Sequence, residues 1–151
     1  MSKITIGIIG LGYIGLPVAL SFAKKYQVIG FDLNKKRIKD LNNFNDTNNE
    51  FKKAKIKSSR NNIIFTSNPS YLSDCKIYVI TVPTPIKKNK KPDMKYVKEA
   101  VKKVSHIIKK GHLIILECTT YQGTTENYFL PIIKNKKLNI GENVFLGYSP
   151  E

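Results

Sequence analysis

Along this chain, apolar runs alternate with stretches of helical spacing. Lys3–Ile9 is almost continuously apolar and predicts a buried strand. Tyr13–Lys25 carries Ile14, Val18, Ala19 and Phe22 at helical intervals. Gln27–Phe31 predicts a second strand and Lys35–Leu41 a second helix, after which residues 42–62 are polar and irregular, a surface excursion with a short helix. Ile63–Thr66 is a short third strand, and Asp74–Val82 a fourth, halted by "PTP" because proline cannot continue a central strand. After the loop "IKKNKKPD", Asp93 predicts an N-cap for a helix with Met94, Val97, Val101, Val104 and Ile108 on one face. Lys95, Lys98, Lys102 and Lys103 fall mainly on its other faces, as a wetted side would. His112–Cys118, Thr124–Lys134 and Asn143–Tyr148 complete the pattern as strand, helix and strand. Strands separated by helical stretches imply right-handed βαβ units. The expected fold class is therefore α/β: a doubly wound, mainly parallel six-stranded sheet with helices on both faces, in one domain over residues 1–151.

The first strand-to-helix junction departs from plain periodicity. Gly10, Gly12 and Gly15 form G-x-G-x-x-G between a strand and a helix, the context that makes this pattern specific and the fold Rossmann-type. The first glycine permits a tight turn, the second a close approach of backbone to a diphosphate, and the third close helix–strand packing. Backbone N–H groups at the helix start then face the anion. Asp32 lies 17 residues past Gly15 at the end of the second strand, where a carboxylate accepts hydrogen bonds from both ribose hydroxyls of an adenosine. Its charge repels a 2′-phosphate, so the cofactor is expected to be NAD rather than NADP. Arg37 is the competing detail: a cation there could accept a 2′-phosphate, or lie over the adenine or reach the ribose or diphosphate. The bland alternatives are a ligand-free glycine turn and an N-cap aspartate.

Composition narrows the field. At 151 residues and 41% hydrophobic, the chain can bury a core, and no apolar run approaches the roughly 18 residues of a membrane span. The strand-like pattern begins at Lys3, leaving no room for a signal peptide, and Cys75 and Cys118 both sit in apolar runs. Two buried thiols without a secretion signal predict a reducing, cytoplasmic setting rather than a disulfide. A net charge of +15 raises nucleic acid as a partner. Yet arginine stands only at 37 and 60, and the lysines scatter over nearly every polar stretch. Base readout favours arginine, so a solvated lysine surface is expected, with no nucleic-acid or membrane partner. His106 reads as a helix-surface residue, His112 as a strand-entry residue and Cys118 as a small buried thiol; no metal-ligand spacing exists.

Six ordered blocks go beyond the generic fold: "GLGYIGLPVALSFA", "FDLNKKRI", "DTNNE", "VPTPI…PDM", "ECTTYQGTTE" and "GYSPE". Together they resemble the N-terminal NAD-binding domain of the UDP-glucose/GDP-mannose dehydrogenase family, most of all its bacterial UDP-N-acetylhexosamine 6-dehydrogenases of capsule and O-antigen synthesis. The resemblance implies oxidation of the C6 alcohol of a nucleotide sugar to a carboxylate by two NAD molecules, through an enzyme-bound thioester. It implies that Gly10, Gly12, Tyr13, Ile14 and Gly15 lie along the diphosphate and that Asp32 and Arg37 flank the adenosine. Thr84 would line the dinucleotide crevice and Thr119 would sit beside the nicotinamide. Glu151 would help place the water that opens the thioester, with Thr119 supporting that water or the sugar hydroxyl. The nucleophile, the dimer-forming central helix of a homodimer and most of the UDP-sugar site belong to later parts of the family's longer chains, so these residues alone are expected to catalyse little. Thr119 as an ordinary strand residue and Glu151 as a frayed terminal acid are the bland counterparts. Other readings are a UDP-glucose or GDP-mannose 6-dehydrogenase, a noncatalytic NAD-binding module, and a basic nucleic-acid-binding domain.

Overall fold

The apolar runs pair side by side in a computed structural model that describes residues 4–88, 90–120, 123–134 and 137–149. In chain order the elements are β1 (Thr5–Ile9), α1 (Gly15–Phe22), β2 (Gln27–Phe31), α2 (Lys35–Asn42), α3 (Lys53–Ser58), β3 (Ile63–Thr66), a 3₁₀ turn (Pro69–Asp74), β4 (Ile77–Ile80), α4 (Lys95–Ile107), β5 (His112–Leu116), α5 (Thr124–Lys134) and β6 (Val144–Tyr148). The six strands lie in the order β3-β2-β1-β4-β5-β6 and every pairing is parallel. This is the doubly wound, Rossmann-type α/β sheet expected, with the order reversing between β1 and β4, where such sheets bind ligands.

Two cores flank the sheet. Leu16, Ala19 and Leu20 of α1, with Ile38 and Leu41 of α2 and Ile56 of α3, pack on one face against Ile6, Ile8 and Val28. Val97, Ala100, Val101 and Val104 of α4, with Phe129 of α5, cover the other against Ile9, Phe31, Tyr78 and Ile80. Each buried Leu, Ile, Val or Phe among them contributes about 1.5–3 kcal/mol by leaving water. The lysines at 95, 98 and 102 are exposed on the opposite side of α4. The N-cap of α4 is Met94, one residue after the expected Asp93, and carries no side-chain cap; Asp93 accepts the Lys95 N–H at 3.1 Å just ahead of it.

Several elements are shorter than expected, β4 and α1 for identifiable local reasons. Strand β4 starts at Ile77 rather than Asp74, because Asp74 ends a 3₁₀ turn that Asn68 opens, its Oδ1 accepting the Ser70 N–H at 3.1 Å, with Pro69 next. Helix α1 begins at Gly15 rather than Tyr13, because residues 12–14 form a turn; it ends at Phe22, where Lys24 and Lys25 donate to Ser21 and Phe22 in a tight final turn. Cys75 and Cys118 are buried and form no disulfide, and burial pushes the Cys75 thiol up to about 12, with Asp74 adding to the shift. His112 is buried and takes the Lys109 N–H on Nδ1 at 3.2 Å, beside the Tyr78 ring. Burial, then the charges of Lys109 and Lys76, hold its pKa down, so it is a neutral core acceptor. His106 is exposed on α4. No helix among the described residues is long and apolar enough to cross a membrane.

Candidate functional site

The three glycines at the β1–α1 corner do different work. Gly10 has φ +98°, and a Cβ there would lie 2.9 Å from the Thr81 carbonyl oxygen. A Cβ on Gly15 would be driven into the Gly10 carbonyl oxygen and to 2.6 Å from Thr81 Oγ1. These two positions are closed by the protein itself. Gly12 differs: a Cβ there meets nothing within 4 Å. Its missing side chain keeps space clear rather than permitting contact. Around it, the N–H groups of Gly12, Tyr13 and Ile14 find no acceptor among the described residues. Tyr13 is exposed, and the Leu16 N–H already takes the Gly12 carbonyl at 3.2 Å. Such a corner can accept an anion on main-chain donors at a helix start.

The acidic end of β2 is tied to the same corner. Asp32 Oδ2 accepts the Leu11 N–H at 2.8 Å, and Oδ1 accepts the Asn34 N–H at 2.8 Å. Each carboxylate oxygen retains a second lone pair for a hydroxyl donor. Asn34 in turn caps α2, its Oδ1 accepting from Lys36 and Arg37, both at 3.1 Å. Arg37 is less free than the sequence suggests. It is 7% exposed; its Nε donates to the Leu11 carbonyl at 2.9 Å and its Nη1 to Asp46 Oδ1 at 2.7 Å and Thr47 Oγ1 at 3.0 Å. Only Nη2 is buried without a partner among the described residues, so any ligand contact from Arg37 comes from that one nitrogen.

Two cavities meet at Gly12. One, of about 380 Å³, is lined by Leu11, Gly12, Asp32, Asn34, Arg37 and Asn48, among others. The other, of about 400 Å³, runs along Tyr13, Ile14, Thr81, Thr84, Cys118 and Thr119. Behind Asp32, a narrower apolar slot lies between Leu33, Val82, Pro83 and Tyr96. Thr84 and Thr119 thus share one cavity at the C-terminal ends of β4 and β5, with Thr119 exposed and the Cys118 thiol buried beside it. Glu151 lies outside the described residues. Among the described residues no group of three or more His, Cys, Asp or Glu side chains could hold a metal ion.

Sequence reading missed three residues here. Thr81 donates its hydroxyl to the Gly10 carbonyl at 2.8 Å and also reaches that of Ile9 at 3.2 Å, clamping the corner to β4. A hydroxyl two residues before "PTP", at the end of an apolar run, was the available signal. Asp46 is buried at 4% exposure inside a segment read as polar surface. Its burial raises its pKa, but the Arg37 contact and the N–H groups of Asn48 and Phe51 outweigh that and hold the carboxyl below its usual range. Asn48 lines both cavities. No periodic pattern marks either of the last two.

Comparison with known proteins agrees with this geometry. Residues 4–151 match the family model for the "UDP-glucose/GDP-mannose dehydrogenase family, NAD binding domain". The chain is 39% identical over its whole length to UDP-N-acetyl-D-glucosamine 6-dehydrogenase of Pseudomonas aeruginosa, covering 36% of that protein. It is 43% identical to Protein CapL of Staphylococcus aureus over 97% of this chain and 34% of the relative. Among solved structures, the UDP-N-acetyl-mannosamine dehydrogenase Cap5O of Staphylococcus aureus superposes with a TM-score of 0.89 at 29% identity, over 97% of this chain and 36% of that one. The chain spans about a third of the length of the curated relatives it matches.

Proposed function

The chain belongs to the UDP-glucose/GDP-mannose dehydrogenase family as an NAD-binding domain, and from that premise we propose that it serves a nucleotide-sugar 6-dehydrogenase acting on a UDP-N-acetylhexosamine. The name of the Pseudomonas aeruginosa relative, 39% identical over the whole of this chain, supports that sugar class. The overall reaction takes a C6 alcohol and one water to a carboxylate, with two NAD molecules each accepting a hydride. The bound nicotinamide supplies the hydride acceptor.

This chain's residues bind and orient. Gly10 and Gly15 shape the corner, while Gly12 and the N–H groups of Gly12, Tyr13 and Ile14 receive the diphosphate. Asp32 accepts the adenosine ribose hydroxyls, and Arg37 Nη2 supplements that end of the site. The apolar slot beside Leu33 and Tyr96 takes the adenine. Thr84 and Thr119 line the nicotinamide side. Thr119 and Glu151 hold the water, or the sugar hydroxyl, that the second oxidation requires. The remaining parts of the intact protein supply the nucleophile, the uridine site and the contacts of a homodimer, in the cytoplasm.

The single observation behind this reading is the meeting of two cavities at Gly12, with unpartnered main-chain donors on the corner and Asp32 at one end. The test is turnover of the intact protein with NAD on a panel of sugar nucleotides. Reduction of two NAD per UDP-N-acetylhexosamine is the expected result. Preference for UDP-glucose or GDP-mannose would reject the sugar assignment, and no NAD binding would reject the whole.

A further inference from the structure

Thr47 and Asn48, from the segment 46–51, line the cleft together with Gly12. The Asp46 carboxylate organises this segment: Oδ1 accepts the Asn48 N–H at 3.1 Å, and Oδ2 accepts those of Glu50 and Phe51, both at 3.0 Å. The same carboxylate pairs with Arg37 Nη1 at 2.7 Å, and Arg37 Nε holds the Leu11 carbonyl at 2.9 Å. A continuous line of buried contacts therefore runs from the glycine corner through Arg37 and Asp46 into the loop. The loop is held in register with Gly12, not draped over the surface.

Asn48 is the residue this arrangement delivers to the cleft. It and Gly12 are the two residues common to the linings of both cavities. Its main-chain N–H is tied to Asp46, whereas its half-buried side-chain amide has no hydrogen-bond partner among the described residues. An asparagine amide brings two donors. Gly12, Tyr13 and Ile14, whose N–H groups find no acceptor among the described residues, line one of those cavities with Asn48. A ligand group lying among these donors must be rich in acceptors, and an anionic one gains most.

We infer that Asn48 is a further cofactor-binding residue whose side-chain amide donates to the diphosphate of the dinucleotide, from a loop positioned by the Arg37–Asp46 ion pair. This rests on the dinucleotide reading above and adds a further donor to it. Asp46 acts through Arg37 and the loop and is a positioning residue.

The test measures dissociation constants of NAD, ADP-ribose and adenosine on the full chain. Asn48→Ala should raise those of NAD and ADP-ribose about tenfold, the loss of one charge-assisted hydrogen bond, and leave adenosine within about twofold. Asn48→Asp should weaken the two diphosphates further, since a carboxylate then faces them, and again spare adenosine. Asp46→Asn should lower the melting temperature and weaken NAD and ADP-ribose more than adenosine. A merely structural loop would weaken all three ligands alike, so the ADP-ribose-to-adenosine ratio is the deciding readout. Equal losses for the three ligands, or Asn48→Ala matching a parent that binds NAD, would overturn this inference alone. A parent that binds none of the three would overturn the cofactor reading and this inference with it.

Discussion

Substituting Gly12 and Gly15 separately should divide the glycine motif into a ligand-binding half and a folding half. A Cβ at Gly12 touches nothing within 4 Å, and its φ is not in the left-handed region, so Gly12→Ala is tolerated by the fold. Lowered unfolded-state entropy even favours it by about 0.4–1 kcal/mol. Gly12→Val keeps that neutrality but fills the space in front of the N–H groups of Gly12, Tyr13 and Ile14. If two of those donors lose a phosphate at about 1.5 kcal/mol each, NAD weakens by about 3 kcal/mol, roughly a hundredfold or more. Gly15→Ala reverses the balance. Its methyl collides with the Gly10 carbonyl oxygen and approaches Thr81 Oγ1 to 2.6 Å, two atoms hydrogen-bonded to each other at 2.8 Å. Overpacking of this kind costs about 1–3 kcal/mol, which lowers the melting temperature by roughly 2–12 °C in a domain of this size. Calorimetric titration with NAD and a thermal melt of each variant provide the assay. The expected pattern is a parent-like melt with lost binding for Gly12→Val, and a depressed melt for Gly15→Ala. Gly12→Val binding NAD as tightly as the parent would refute the assignment of the diphosphate to this corner.

Two further predictions concern charge. Asp32→Ala removes the acceptor of the Leu11 and Asn34 N–H groups together with the anion expected to repel a 2′-phosphate. NAD should weaken at least about tenfold while the NADP-to-NAD affinity ratio rises; parallel titrations that leave the ratio unchanged would refute the role. Asp46 and His112 both have folded-state pKa values below their ordinary ones. Their stabilisation is therefore complete above the unfolded values and is lost as pH falls through the folded values. Melting temperatures should decline from about pH 6.5 downward as His112 charges and again below about pH 4 as Asp46 protonates. His112→Phe should flatten the first decline and Asp46→Asn the second, and unchanged slopes in both variants would contradict the linkage.

The fold was legible because its signals are short-range. A switch from apolar run to helical spacing, repeated along the chain, is sufficient to order six strands, and Gly10, Gly12, Gly15 and Asp32 stand where that rhythm breaks. What stayed hidden depends on distant partners. Thr81 acts on a carbonyl 71 residues away in sequence, and Asp46 is buried because Arg37, nine residues earlier, reaches it across the end of α2. A buried acid inside a polar run has no periodic signature, so "DTNNE" reads as solvated loop until its N–H acceptor is seen. Arg37 was visible as a cation near the adenosine end, but not its engagement with the Leu11 carbonyl. The late start of α1 also follows from geometry rather than propensity, since residues 12–14 form a turn before the helix begins.

Leu11 is gripped on both sides of its peptide unit, its N–H by Asp32 and its carbonyl by Arg37. The carboxylate we assign to discriminating between the two nicotinamide dinucleotides is thus also a rivet of the glycine corner. An exchange of coenzyme preference through this position is self-limiting: a basic or small replacement admits the extra phosphate and loosens the cradle in the same step. A lineage or a laboratory selection seeking that exchange should arrive at short polar side chains that keep an oxygen over Leu11, ahead of any arginine.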